Sequence, residues 1–338
     1  QEAGFVRFIH KPVRKAELRQ AILGIAAARQ EGEVRMPQLG ASVLVVEDNP
    51  VNQEVMNQML QRMGCSVRVA GSALEGLGAL CEDLFDLVLM DIQMPGMDGV
   101  EALQWLRRGP TPRFTFLTPA QTPVVAVTAN ALEGDEERFL SLGFDAYLSK
   151  PYRQGQLLAV LGRYVGNRLG RRGQRDIEAA ARTAPGALTG FGERGHFSDG
   201  LQTPPEPTLF LALEDDPPLL DAVALQRLHD LDPGGRNQLV RRVMQAFDAS
   251  ISRLMPMLGA GPLGLDPASV LHVAHTLRSS ANSLGALQLS ALCADMEQAL
   301  RRGTGTGMTG LLPRLEALRN EMQRVQEGVR HRLSMQTD

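Results

Sequence analysis

Residues 87–99 read Leu87-Val88-Leu89-Met90-Asp91-Ile92-Gln93-Met94-Pro95-Gly96-Met97-Asp98-Gly99, an apolar run that stops on a carboxylate and then breaks into turn residues. Consecutive apolar residues bounded by Pro-Gly and Asp-Gly describe a strand buried on both faces, as in the middle of a parallel sheet. A helical pattern follows at once, from Gly99 to Arg107. Outward from this strand the alternation repeats. Strands are expected at Val43 to Glu47, Ser66 to Ala70, Pro123 to Val127 and Ala146 to Leu148, with helices at Val51 to Met63, Ala73 to Cys81, Leu132 to Leu142 and Gln154 to Tyr164. This order predicts an α/β doubly wound, five-stranded parallel sheet over residues 42–164. The stretch from Arg108 to Thr122, with three prolines and a glycine, is a long connection to which the sequence assigns no function.

In an open parallel sheet, ligands bind beyond the carboxyl ends of the strands. The predicted strands bring Glu47 and Asp48 to the end of the first, Asp91 to the end of the third, Thr128 to the end of the fourth and Lys150 just past the fifth. Three crowded carboxylates raise one another's pKa, so gathering them implies a cation; a hard divalent ion with oxygen ligands, Mg2+, fits. One carboxylate, Asp91, is then placed to attack phosphorus and form an acyl phosphate. The Thr128 hydroxyl and the Lys150 ammonium would meet the charge on the phosphoryl oxygens. For a single pair such as Asp48 and Asn49, helix capping is the plainer account; five suitable residues at five strand ends favour chemistry.

The rest of the chain differs in kind. With 338 residues, 43% of them hydrophobic, it is long enough for two cores. The net charge of -3, from 35 basic and 38 acidic residues, gives no electrostatic reason to expect nucleic acid. Cys65, Cys81 and Cys293 lack metal-ligand or disulfide spacing and suit a reducing cytoplasm. No apolar run approaches the roughly eighteen residues needed to span a bilayer. Residues 165–217, rich in Gly, Pro, Arg and acidic groups, read as a disordered linker. From 218 to 333 the pattern is helical, with elements at Leu220 to His229, Arg236 to Leu258, Ala268 to Leu284, Leu287 to Arg302 and Leu311 to Leu333, which predicts an all-α bundle.

On the third of these helices, Val270, Val273, Ala274, Leu277, Ala281 and Leu284 share one face. His275, Arg278, Ser279 and Asn282, at i, i+3, i+4 and i+7, form a separate polar stripe. An accessible imidazole beside a cation and small hydrogen-bonding groups suits a phosphoryl carrier. A packed or surface role is the default for one histidine among six, and His272 is assigned to the surface.

Two resemblances attach to these residues. Val43-Leu44-Val45-Val46-Glu47-Asp48-Asn49, the stretch Leu87 to Gly99, Val127-Thr128-Ala129 and Tyr147-Leu148-Ser149-Lys150-Pro151 resemble a bacterial response-regulator receiver domain, a flavodoxin-like fold. The resemblance implies that Glu47, Asp48 and Asp91 hold Mg2+ together with the backbone carbonyl of Gln93, and that Asp91 is the phosphoacceptor. It implies a switch pair of Thr128 and Tyr147, although Tyr147 reads equally as a packed strand aromatic. The run from Ala274 to Ala286 resembles the histidine phosphotransfer family, a four-helix bundle whose active histidine lies mid-helix; here His275 takes that place, with Arg278 where lysine is usual.

Together these are similar to the C-terminal part of a hybrid sensor histidine kinase. The expected partners are an upstream histidine kinase domain, which would phosphorylate Asp91, and a downstream response regulator, which would take the group from His275. No nucleic acid or membrane contact is expected of this cytoplasmic segment; anchoring of an upstream part in the inner membrane stays open. Phe8-Ile9-His10-Lys11-Pro12 parallels Tyr147-Leu148-Ser149-Lys150-Pro151, so residues 1–30 resemble the tail of a preceding receiver, joined through a linker at 31–41. Alternatives are a phosphorylation-controlled binding switch with His275 idle, or a phosphate sink at Asp91.

Overall fold

The computed structural model of the chain describes residues 38–128, 135–150, 152–165, 219–258, 266–302 and 311–335. The expected receiver tail at 1–30 and nearly all of the 165–217 linker lie outside the described residues, as do Ala129 and Pro151. Residues 38–41, assigned by composition to a linker, run beside the end of the first helix, where Leu39 N–H donates to the Met63 carbonyl at 2.8 Å and Leu39 and Ala41 are buried.

Five strands, β1 (Ser42–Val46), β2 (Ser66–Ala70), β3 (Leu87–Asp91), β4 (Val124–Thr128) and β5 (Ala146–Ser149), form one sheet in the order β2-β1-β3-β4-β5, and every neighbouring pair is parallel. Period-two alternation divides the strands between two cores. Val43, Val45, Leu87 and Leu89 face helices α1 (Pro50–Arg62) and α5 (Gln154–Val165). Leu44, Val46, Val88 and Met90 face α2 (Ala73–Glu82), α3 (Gly99–Arg108) and α4 (Asp135–Ser141). Register sets the functional end: Val46 pairs with Met90 and Asp91 with Val127, so the carboxyl ends of β1, β3 and β4 lie level. A Cβ on Gly99 would lie 2.1 Å from the Asp91 carbonyl oxygen, so α3 approaches the end of β3 this closely only with glycine there.

The connection from α3 to β4 is packed rather than open. Phe114 meets Trp105 edge-to-face at 5.5 Å, Thr118 Oγ1 donates to the Asp83 carbonyl at 2.6 Å, and Arg107 pairs with Asp145 at 2.8 Å.

Beyond residue 218 come α6 (Ala222–Leu231), α7 (Leu239–Leu254) with a 3-10 turn at Met255–Leu258, α8 (Pro267–Leu284), α9 (Leu287–Arg302) and α10 (Leu312–Met335). Helices α7, α8, α9 and α10 pack in a ring, with α6 laid against α7 and α8. Gly285 ends α8 in the left-handed region at φ 87, and the two-residue link to α9 makes the pair antiparallel neighbours. The six residues expected on the apolar face of α8 are all buried. Two differences from the sequence expectation concern α7. It starts at Leu239 because the Asp232 carboxylate captures the N–H groups of Asn237 and Leu239 in a loop. It ends in a 3-10 turn where Pro256 has no N–H for another α-turn. Among the described residues, no helix is long and apolar enough to cross a membrane.

Candidate functional site

At the level ends of β1 and β3, Glu47, Asp48 and Asp91 each offer a carboxylate oxygen, and these lie within 4.8 Å of one another. Glu47 and Asp91 are buried and Asp48 is half-buried. Capping, the alternative for the Asp48-Asn49 pair, falls to Asn49 alone: its Oδ1 accepts from Val51 N–H at 3.1 Å and closes the start of α1. That leaves the Asp48 carboxylate to the cluster. Asp98 likewise caps α3 through Glu101 N–H at 2.7 Å.

Lys150 Nζ donates to Glu47 Oε2 at 2.5 Å and Asp91 Oδ2 at 2.6 Å. Burial opposes its charge, but the two carboxylates hold the ammonium well above the usual lysine range. One lysine does not neutralise three carboxylates. Burial, with Asp91 adding and Lys150 opposing, pushes Glu47 up to about 8; burial and Asp91 push Asp48 up to about 6. Oxygen-only donors carrying excess negative charge fit a hard divalent cation. Gln93 N–H donates to Asp91 Oδ1 at 3.1 Å, which holds the loop carrying the Gln93 carbonyl against the cluster. Thr128 is buried at the end of β4, and its carbonyl accepts from Lys150 N–H at 2.7 Å. Tyr147 pairs in register with Ala126 and is partly buried against the α2–α4 side of the sheet.

The polar stripe of α8 is not turned to solvent. The His275 side chain is only 16% exposed, because α8 packs across the mouth of the carboxylate cluster. Asn49 Nδ2 donates to the Thr276 carbonyl at 2.9 Å and to Ser280 Oγ at 2.7 Å. One turn along α1, Asn52 Nδ2 donates both to Ser279 Oγ and to Glu47 Oε1 at 3.0 Å. Residues flanking His275 are thus bonded to residues flanking Asp48. The imidazole lies close enough that its charge lowers the Asp48 pKa against the effect of burial. A cavity of about 100 Å³ lies between Asn52, Lys150 and Tyr152 on one side and Arg278, Ser279 and Asn282 on the other.

Sequence reasoning missed Glu297. Its buried carboxylate on α9 takes Arg278 Nη1 at 3.2 Å, so the cation expected to face a phosphoryl group is already paired. Glu297 Oε1 lies 3.6 Å from His275 Nδ1, and neither atom has another hydrogen-bond partner; closing the gap by about 0.5 Å would make a full bond. Burial raises the Glu297 pKa, but His275, Arg278 and Arg301 outweigh it and hold the carboxyl below its ordinary value. A signal was present: Glu297 follows Leu289 by eight and Cys293 by four, which puts a lone acid on the apolar stripe of its helix. His272, assigned to the surface, is half-buried; burial together with Arg253 and His275 lowers its pKa.

Residues 43–162 match the response regulator receiver domain family, and residues 238–328 match the Hpt domain family. Sensor histidine kinase GacS of Pseudomonas protegens is 35% identical over 159 residues, which is 46% of this chain and 17% of GacS. Signal transduction histidine-protein kinase BarA of Escherichia coli is 28% identical over 287 residues, 85% of this chain and 27% of BarA. Polar-differentiation response regulator DivK of Brucella ovis is 36% identical over 126 residues, 37% of this chain and 97% of DivK. The chain therefore spans no more than 27% of the length of either kinase.

Proposed function

The chain belongs to the response regulator receiver family and carries an Hpt domain, and from that premise we propose that it relays phosphoryl groups from Asp91 to His275 within one molecule, as part of a multistep two-component phosphorelay. The observation that carries this reading is the bonding of Asn49 and Asn52, beside the carboxylate cluster, to Thr276, Ser279 and Ser280, beside the histidine.

An Asp91 carboxylate oxygen attacks the phosphorus of a phosphohistidine in an upstream kinase domain; the P–N bond breaks and the imidazole leaves. Lys150, already at 2.6 Å from Asp91, exchanges part of that ion pair for the phosphoryl oxygens, and Thr128 adds a hydroxyl donor. Glu47, Asp48, Asp91 and the Gln93 carbonyl would hold Mg2+, which supplies charge neutralisation at the phosphoryl oxygens when bound. In the second transfer, Glu297, closing onto His275 Nδ1 from 3.6 Å, would hold the proton there, and the lone pair of Nε2 attacks the same phosphorus. The P–O bond to Asp91 breaks and the carboxylate leaves with the electron pair. The docked helices supply proximity and orientation, the main contributions a protein makes to this chemistry. The phosphohistidine then serves the receiver of a separate response regulator.

The test loads the chain at Asp91 from a small phosphodonor with Mg2+ and follows acid-stable and acid-labile label, with Asp91→Asn and His275→Ala as controls. Label on His275 that requires both residues is the expected result. Label that stays on Asp91 in the wild-type chain refutes transfer within the molecule and leaves a binding switch or a phosphate sink.

A further inference from the structure

The receiver touches the bundle at a second place, remote from the chemistry. Gln58 lies nine residues beyond Asn49 on α1, about 13 Å along the helix from the reacting end. It is only 3% exposed and is held by the last residue of α6 and the loop that follows it. Gln58 Nε2 donates to the Leu231 carbonyl at 3.2 Å, and Asn237 Nδ2 donates to Gln58 Oε1 at 3.3 Å. Arg62 donates to the Asp230 carbonyl, and Arg242 Nη1 stands 3.3 Å from Glu54 Oε2. The loop is shaped for this contact. The buried Asp232 carboxylate fixes its backbone through Asn237 and Leu239 N–H, and the adjacent Gln238 takes φ 51, the one non-glycine in the left-handed region among the described residues. The strained Gln238 thus stands beside an amide aimed into a partner helix.

We infer that the α6–α7 loop is a partner-selecting latch: Asn237 and the Leu231 carbonyl read Gln58 and so favour the chain's own receiver over a second receiver offered to His275. The inference rests on the phosphorelay reading above. None of the latch residues touches Asp91 or His275, so the latch changes which receiver occupies the histidine and leaves the chemistry of the occupied state alone. Its consequence is competition, because a second receiver reaches His275 only after the resident one has left.

The experiment uses two full-length chains. The donor carries His275→Ala and is phosphorylated at Asp91; the acceptor carries Asp91→Asn and offers His275 beneath a silent receiver. Transfer between them is followed by the label appearing on the acceptor. Gln58→Ala in the acceptor loosens the silent receiver and speeds transfer about fivefold to tenfold. The same substitution in the donor frees its receiver from its own bundle and weakens its docking on the acceptor alike, and so leaves the rate near that of the parent pair. Asn237→Ala in the acceptor weakens both receivers alike and leaves the rate near that of the parent pair. A general structural defect would slow transfer in whichever chain carried it. Loading of Asp91 in Gln58→Ala by the small phosphodonor at the parent rate verifies that its receiver is folded. A rate unchanged or lowered by Gln58→Ala in the acceptor, or raised as much by Gln58→Ala in the donor, overturns the latch alone. Absence of labelled His275 in the wild-type chain overturns the relay and the latch together.

Discussion

Asn49→Ser separates the two tasks of one side chain. Asn49 Oδ1 caps α1 through Val51 N–H at 3.1 Å, while Nδ2 donates to the Thr276 carbonyl at 2.9 Å and Ser280 Oγ at 2.7 Å. Serine caps a helix about as well as asparagine, so the stability of the receiver should change by no more than about 0.5 kcal/mol. It has no second donor to reach α8. Two neutral hydrogen bonds at about 1 kcal/mol each amount to about 2 kcal/mol, a factor of roughly thirty in the weight of the docked state. The Thr276 carbonyl keeps a bond from Ser280 Oγ at 3.0 Å, so no buried acceptor is stranded to enlarge the effect. The assay is a single-turnover quench experiment that follows label from Asp91 to His275, with loading of Asp91 by a small phosphodonor as the internal control. Unchanged loading and transfer slowed about thirtyfold are expected. Transfer at the wild-type rate in a folded, loaded variant would refute the claim that these bonds align the two centres.

Glu297→Gln removes the charge that faces His275 Nδ1 and should slow appearance of phosphohistidine about tenfold, with loading of Asp91 unchanged in the same quench assay. The same variant should alter acid stability. The Glu297 carboxyl is held below its ordinary 4.5 in the fold, so its stabilisation is complete above that value and is lost as pH falls through the lower folded one. Urea midpoints of the wild-type chain should therefore drop more steeply on acidification than those of Glu297→Gln. Chelation of divalent ions should abolish loading of Asp91 from the small phosphodonor and leave thermal unfolding of the bundle unmoved; loading that survives chelation would remove the cation from the account. Gly99→Ala drives a Cβ into the Asp91 carbonyl, a backbone group unable to step aside, and should destabilise the receiver by about 1–3 kcal/mol in calorimetry.

What was legible in the sequence was local. Strand ends follow from runs such as Leu87 to Met90, and each run carries its terminal carboxylate to the same edge, so Glu47, Asp48, Asp91, Thr128 and Lys150 could be gathered without a structure. Helical spacing likewise separated His275, Arg278 and Ser279 from the apolar face of α8. Periodicity says which side of a helix is not core, but not what lies against that side. The partners of Asn49 stand 227 and 231 positions away, and neither Asn49 nor Ser280 departs from what a cap or a small helical residue would show. Glu297 is an intermediate case: its place on an apolar stripe marked it as buried, but only the packing of α9 against α8 sets it beside His275.

In the proposed relay one histidine serves two receivers in turn, and the chemistry of the docking face bears on how it does so. One hydrophobic cluster runs from α1 of the receiver into the bundle, and such apolar side chains would adhere in several registers, whereas the buried amides and hydroxyls beside them are satisfied in one. Each hydrogen bond made there contributes only about 1 kcal/mol net, because water replaces it when the face opens. A receiver displaced by a helical turn would instead leave the Asn49 Nδ2 donor buried without an acceptor, at about 1–3 kcal/mol. For these polar groups the penalty for misplacement thus exceeds the adhesion gained by correct placement. Such a face aligns Asp91 with His275 and still lets the receiver go, which is the combination a relay needs at its middle step.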